Sequence, residues 1–164
     1  MQYHIANVVG KVKFADSFDT SEIANLSVKR CGRRTTYVIH GMNGKIMPMR
    51  PVNKKQIIIT GCNYDEFNAI LDEIKKTNNV TDSPILNFVL KYVLPFHVDL
   101  DKVFYAIDDC KKQRGLPIVI FSYENSKVLV SKIGRGVVTN LTNLEDIDKT
   151  MNDIFALLEP HKSS

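Results

Sequence analysis

The stretch Asn7-Val8-Val9-Gly10-Lys11-Val12-Lys13-Phe14 limits what this chain can fold into. Successive side chains of a strand point to opposite faces, so Asn7, Val9, Lys11 and Lys13 share one face and Val8, Gly10, Val12 and Phe14 the other. One face is wet and one is dry. The pattern returns 80 residues on (87 − 7), in Asn87-Phe88-Val89-Leu90-Lys91-Tyr92-Val93-Leu94. The same strand twice, spaced by about half of 164 residues, predicts two related halves, 1–80 and 81–164, packed as one unit.

The remaining elements follow from periodicity and punctuation. Asp16–Thr20 reads as a turn, followed by a short helix over Ser21–Leu26 with Ile23 and Leu26 inward. Ser27–Arg34 reads as a strand or a basic loop, and Thr35–Met42 as a strand. Met42-Asn43-Gly44 has hairpin-turn chemistry, because Asn-Gly tolerates positive φ. Lys45–Val52 is a strand interrupted by Pro48 and Pro51, which predicts an edge or bent position. Gln56–Gly61 is a β-branched strand. Asn63 then caps a helix with Asp65 and Glu66 in its first turn, and Phe67, Ile70, Leu71 and Ile74 form its apolar stripe. Asn78–Pro84 is a polar linker. The second half repeats this order: a strand over Ile85–Phe96, then a helix capped by Asp99 with Leu100, Val103, Ala106 and Ile107 inward. A basic loop over Lys111–Gly115 follows, then strands over Leu116–Tyr123, Lys127–Lys132 and Gly136–Asn140. Asn143 caps a last helix with Ile147, Met151, Ile154, Phe155 and Leu158 on one face. The fold class is α+β: an antiparallel sheet in two β-α-β(n)-α repeats, helices on one side and the other side open.

Charge is segregated along the chain. Ser27–Cys62 holds Lys29, Arg30, Arg33, Arg34, Lys45, Arg50, Lys54 and Lys55 and no carboxylate. Cys110–Thr142 holds Lys111, Lys112, Arg114, Lys127, Lys132 and Arg135 against Glu124. Two acid-poor basic stretches in matching halves point to an anionic partner, most simply nucleic acid. Alternation puts Ile58 and Thr60 on the open side of their strand, and Val137 and Thr139 on the open side of theirs. The open face then shows Asn7, Val9, Lys11 and Thr60 with Asn87, Val89, Lys91 and Thr139, flanked by bases. It carries no nucleophile–base pair, no paired carboxylates and no glycine-rich phosphate loop. Cys31, Cys62 and Cys110 are odd in number and widely spaced, and His4, His40, His97 and His161 show no ligand spacing, so no cofactor or metal site is expected. No run reaches the roughly 18 apolar residues of a membrane span, and no basic-then-apolar leader opens the sequence. The chain is therefore expected not to be a membrane or secreted protein.

These residues resemble the TATA-box-binding protein family over nearly the whole length. Asn7-Val8-Val9 and Asn87-Phe88-Val89 match the first strand of that family's two repeats. Ile58-Ile59-Thr60-Gly61 and Val137-Val138-Thr139-Asn140 match the last. The resemblance implies a saddle whose concave sheet sits in a widened minor groove, the family being a standard case of a protein that kinks its DNA there. It implies that Asn7, Asn87, Thr60 and Thr139 meet minor-groove acceptors, and that Val9, Ile58, Val89 and Val137 pack on bases. Lys11, Arg50, Lys55, Lys91 and Arg135 would then serve phosphates. An A·T pair shows only acceptors there, whereas G·C adds an amino group. Where the family inserts pairs of phenylalanines, this chain has Thr35 and Val52 in the first repeat, and Leu116 with Ser131 or Ile133 in the second. Leu116, followed by Pro117, is the best wedge. Where the family has an acidic loop that receives transcription factor B, this chain has Lys111-Lys112-Gln113-Arg114. The composition has the style of a large DNA virus or a fast-evolving protist, which implies a nucleus or a cytoplasmic virus factory.

The implied function is a transcription initiation factor binding A·T-rich double-stranded DNA, with a factor-B-like protein or RNA polymerase subunits as protein partners. The alternative is an interaction module, a subunit of a larger transcription complex with weak or no DNA binding of its own. A DNA-processing enzyme would need a metal pair; Asp108 and Asp109, expected side by side in a helix, would project to different faces.

Overall fold

Alternation decides most of the architecture. A computed structural model describes residues 1–40 and 46–163, with the side chains of Cys31 and Ile46 outside that description. Residues 6–87 form one compact unit; residues 1–5 join 88–164 in the other.

In the unit of residues 6–87, β1 (Gln2–Phe14), β2 (Leu26–Cys31), β3 (Arg34–His40), β4 (Ile46–Asn53) and β5 (Gln56–Cys62) lie in the order β2-β3-β4-β5-β1. A short β6 (Val80–Asp82) pairs with β1. Val8, Val12, Ile57, Ile59 and Met49 are fully buried on one side of this sheet. Helix α1 (Tyr64–Lys75) covers that side with Phe67, Ile70, Leu71 and Ile74. Its start is a capping box: Asn63 Oδ1 accepts from the Glu66 amide, and Glu66 Oε2 accepts from the Asn63 amide, both at 2.8 Å. Gly10 is small because the Phe67 ring lies on it; a Cβ there would sit 2.1 Å from Phe67 Cε2.

The other unit contains β7 (Ile85–Val93), which starts at the unit boundary, then α2 (Leu100–Ala106), β8 (Lys111–Lys112), β9 (Ile118–Tyr123), β10 (Ser126–Ser131), β11 (Arg135–Leu141) and α3 (Ile147–Leu158). The strand order is β7-β11-β10-β9-β8. Phe88, Leu90, Val119, Phe121, Val128, Val130 and Val138 are buried in this unit, as are Met151, Ile154 and Leu158 of α3. Two tyrosines tie the sheet to α3. Tyr123 donates to Asp153 at 2.5 Å, and Tyr3 donates to Asp148. The Asp153 carboxylate beside it pushes the Tyr123 phenol up to about 12, and Asp148 raises that of Tyr3. Tyr92 donates to the Leu129 carbonyl at 2.9 Å, and burial raises its phenol well above the usual range.

Several expectations are corrected. No helix forms over Ser21–Leu26. Asp19 accepts from the Ser21 amide in a tight turn, Asn25 takes φ 60°, and Leu26 enters β2. Of the two positions expected for β4, edge or bent, the edge is ruled out: it is interior, paired with β3 at Pro48 and with β5 at Pro51. A register irregularity between Pro51 and Asn53 takes up the bend. The Asn78–Pro84 linker contains β6. Ala106 is exposed, and Leu100 and Ile107 are only half-buried. The last helix starts after Asp146, because Asn143 uses its side chain on the Glu145 amide and the Asp146 carboxylate. Asp108 and Asp109 lie beyond α2, both exposed. The Met42-Asn43-Gly44 turn lies outside the described residues.

Candidate nucleic-acid interface

The open side of each unit is the complement of its buried parity. In residues 6–87, Asn7, Val9, Lys11 and Lys13 alternate with the buried β1 residues and are half-buried. Strand register aligns Lys11 with Ile58, and Ile58 with Arg50, in one lateral row. A second row sets Lys13 against Gln56 on one side and Asp82 on the other, and Lys13 Nζ is 3.0 Å from that carboxylate. Asn7 turns its Oδ1 inward, where it is buried with no hydrogen-bond partner among the described residues. Thr60 and Asn87 are half-buried, with no side-chain hydrogen bond among the described residues.

Thr60 sits in a bulge. Val8 pairs with Cys62 and Gly10 with Ile59, so Thr60 and Gly61 together oppose Val9. Gly61, the second of the two, takes a left-handed φ of 76°, which glycine adopts without steric cost. The second unit has the same bulge. Phe88 pairs with Leu141 and Leu90 with Val138, so Thr139 and Asn140 together oppose Val89. Asn140 takes φ 63°, which asparagine tolerates better than most residues.

The second unit's open side carries a long row: Lys91, Val137, Leu129, Ile120 and Lys111 in lateral register. Beside it run Thr139, Lys127 and Ser122, with Lys127 Nζ donating to Ser122 Oγ at 2.6 Å. Val93 and Arg135 pair in the next row, where the Arg135 backbone is held at both ends by Ser131 Oγ. Leu116 and Ile133 are 56% and 53% exposed. Their loops are joined where the Lys132 amide donates to the Pro117 carbonyl at 3.2 Å. In the first unit Val52 is 50% exposed, while Thr35 is half-buried and has the parity of the helix-covered residues. Ser131 is occupied by its own turn, so Ile133 is the exposed apolar neighbour of Leu116.

Most predicted residues therefore fall on the open side of their unit. Lys55 differs. It lies in the β4–β5 turn with its ammonium 2.7 Å from the Ala15 carbonyl, fastening the end of β1. Lys13, Lys127, Leu129, Ile118 and Ile120 belong to the open faces too. Their strands were legible, but β9 reads Ile-Val-Ile-Phe, apolar at every position, and periodicity cannot choose a face there. Among the described residues, Asp82 is the carboxylate on these rows, and Lys13 uses it. Asp65, Asp72, Asp148 and Asp153 lie on the helices. Each unit is thus cationic on its open side and acidic on its covered side. No group of three His, Cys, Asp or Glu could hold a metal ion among the described residues, and no helix there is long and apolar enough to cross a membrane.

The class these features define is an α+β protein of two repeated units, each an antiparallel sheet with helices on one side and an open cationic side bearing a bulge-set threonine. Solved structures share this fold. The TBP of Methanococcus jannaschii matches over 98% of this chain and 99% of its own, with a TM-score of 0.76 and 20% sequence identity. The chain has the TATA-box-binding-protein fold. No family's sequence profile and no curated protein matches it.

Proposed function

We propose that this protein is a transcription initiation factor of the TATA-box-binding type, taking A·T-rich duplex DNA by its minor groove on the open sides of both units. The observation that carries this reading is the repeated bulge. Each unit has a threonine followed by a left-handed residue, Gly61 or Asn140, in a bulge of an open, carboxylate-poor, lysine-flanked sheet. Short donors there match the acceptors of an A·T pair, and the guanine amino group would crowd them. Lys11, Lys91, Lys111, Lys127 and Arg135 supply phosphate contacts. Leu116 and Ile133 are the apolar side chains suited to enter a base step. The test is fluorescence anisotropy of the full chain on A·T-rich and G·C-rich duplexes. Binding to the first should fall with salt at a slope of about −0.9 per phosphate neutralised. Asn7→Ala with Asn87→Ala should weaken A·T-rich binding by roughly tenfold and G·C-rich binding less. Equal losses would rule out groove reading.

A second reading, a subunit that works through protein contacts, is favoured by one feature. Tyr105 on α2 is 81% exposed, and Lys112 Nζ stands 4.8 Å from the Phe104 ring centre and 5.9 Å from that of Tyr105. An aromatic pair held by a lysine suits a protein partner such as a factor-B-like protein or a polymerase subunit. Absence of any duplex binding at micromolar protein would favour this second role. The nucleus, or a cytoplasmic virus factory, is the compartment either role would require.

A further inference from the structure

The second unit carries a cavity of about 570 Å³, within the range of roughly 300–1,000 Å³ typical of small-ligand sites. The first unit has no helix between β1 and β2, so it lacks the wall that Leu100 and Asp101 of α2 supply here. Val98, Leu100, Leu116, Pro117 and Val119 give the cavity its apolar lining, and Val98 and Val119 are fully buried. Backbone bonds hold the surrounding segments in place. The Gln113 amide donates to the Ile118 carbonyl at 2.9 Å, the Lys132 amide to the Pro117 carbonyl at 3.2 Å, and the Ser163 amide to the His97 carbonyl at 3.0 Å.

The polar groups of the cavity are unequally engaged. Asp99 Oδ1 accepts from the amides of Asp101 and Lys102, both at 3.2 Å, and its Oδ2 faces Lys102 Nζ at 3.5 Å. Asp101 takes Lys112 Nζ at 2.6 Å. Both carboxylates therefore have partners from the chain. Three lining residues have side-chain donors without any: Lys132 makes no ion pair, and Gln113 and Ser163 make no side-chain hydrogen bond, among the described residues. The unmet capacity is thus for an acceptor, and it is cationic at one point. We propose that this cavity is a binding site for an apolar monocarboxylate, its carboxylate on Lys132 with Gln113 and Ser163 in support, and its hydrocarbon on Val98, Leu100 and Val119. A charge-assisted bond fixes the acid end, and apolar burial holds the rest. One unpaired ammonium with two neutral donors suits a single negative charge better than the two of a phosphate monoester. The source of the ligand is either a free organic acid or an acidic residue beside an apolar one in a partner protein.

Calorimetric titration of the full chain with 3-phenylpropanoate, and with 3-phenylpropanol as its uncharged match, tests the site. The acid should bind with a Kd on the order of 1 mM or tighter, and the alcohol about tenfold more weakly. Amide NMR shifts caused by the acid should centre on Val98, Gln113, Val119 and Lys132. Lys132→Gln should abolish the preference for the acid and leave the alcohol unchanged, and Lys132→Arg should keep the preference. Lys132 is exposed, so thermal melts of both variants should match wild type. A capped phenylalanyl-aspartyl peptide that binds more tightly than 3-phenylpropanoate would make a partner protein the source, and the reverse a free acid; both uphold the site. Equal binding of acid and alcohol, an acid preference that survives Lys132→Gln, or shifts centred outside the cavity would overturn it. Duplex binding enters none of these readouts, so its failure would touch the DNA-binding reading alone.

Discussion

Gly61→Ala separates the backbone's contribution to the open face from that of the side chains. Gly61 has φ 76°, and a Cβ built there would lie 3.5 Å from Pro48 Cδ, an ordinary contact. Crowding adds nothing, so the cost lies in the dihedral. The left-handed conformation costs an L-residue roughly 1–2 kcal/mol. Alanine returns about 0.4–1 kcal/mol by restricting the unfolded chain. The net loss is about 1 kcal/mol, or a Tm lowered by about 2–4 °C at this size. The second unit provides the control, since Asn140 holds φ 63° at the same place. Gly61→Asn should cost less than Gly61→Ala, Asn140→Ala should cost about as much as Gly61→Ala, and Asn140→Gly should be near neutral. Binding gives the second readout. An alanine that pulls the strand back to regular pairing from Ile59 onward sets Thr60 squarely opposite Val9 and turns Cys62 out of the covered side. Gly61→Ala should therefore weaken A·T-rich DNA binding beyond what its modest Tm loss implies. Scanning calorimetry and anisotropy on the four variants decide the matter. If Gly61→Ala melts and binds like wild type, the left-handed residue is not what holds the bulge beside Thr60.

Other perturbations probe separate layers of the molecule. Gly136→Ala would place a Cβ 2.2 Å from both the Leu129 carbonyl oxygen and Tyr92 Cζ; a loss of about 3 kcal/mol is expected in urea unfolding, and Tyr92→Phe should not recover it because the carbonyl remains. Gly10→Ala meets only the Phe67 ring, so adding Phe67→Leu should recover part of its loss. The Tyr123 phenol is raised from 10.0 to about 12 by Asp153. Its stabilisation is complete below about pH 10 and fades as pH rises through about 12; pH-dependent melts of Tyr123→Phe should lack that alkaline component. Leu116→Ala with Ile133→Ala should reduce the DNA bend measured by end-to-end energy transfer, since unstacking a step costs a few kcal/mol that a methyl cannot offset; an unchanged bend would show that these side chains are not wedges.

Periodic features were readable within single elements. The Phe67, Ile70, Leu71 and Ile74 stripe, the Asn63 cap and the buried faces of β1 and β5 all came from spacing and side-chain chemistry within one element. The two-fold repeat, and with it the matching Thr60-Gly61 and Thr139-Asn140 pairs, was also legible, because duplicated alternation survives in the chain. Tertiary structure decided what depends on a distant partner. Leu26 became strand because β3 offered it a ladder, and Pro48 sits inside the sheet because β3 and β5 flank it. Residues 1–5 joined the second unit, where Tyr3 reaches Asp148. β9, apolar on both sides, received its open face only from its register with β10 and β8. Periodicity reports which side chains leave water together. Which neighbour receives them is set by long-range pairing that no local pattern encodes.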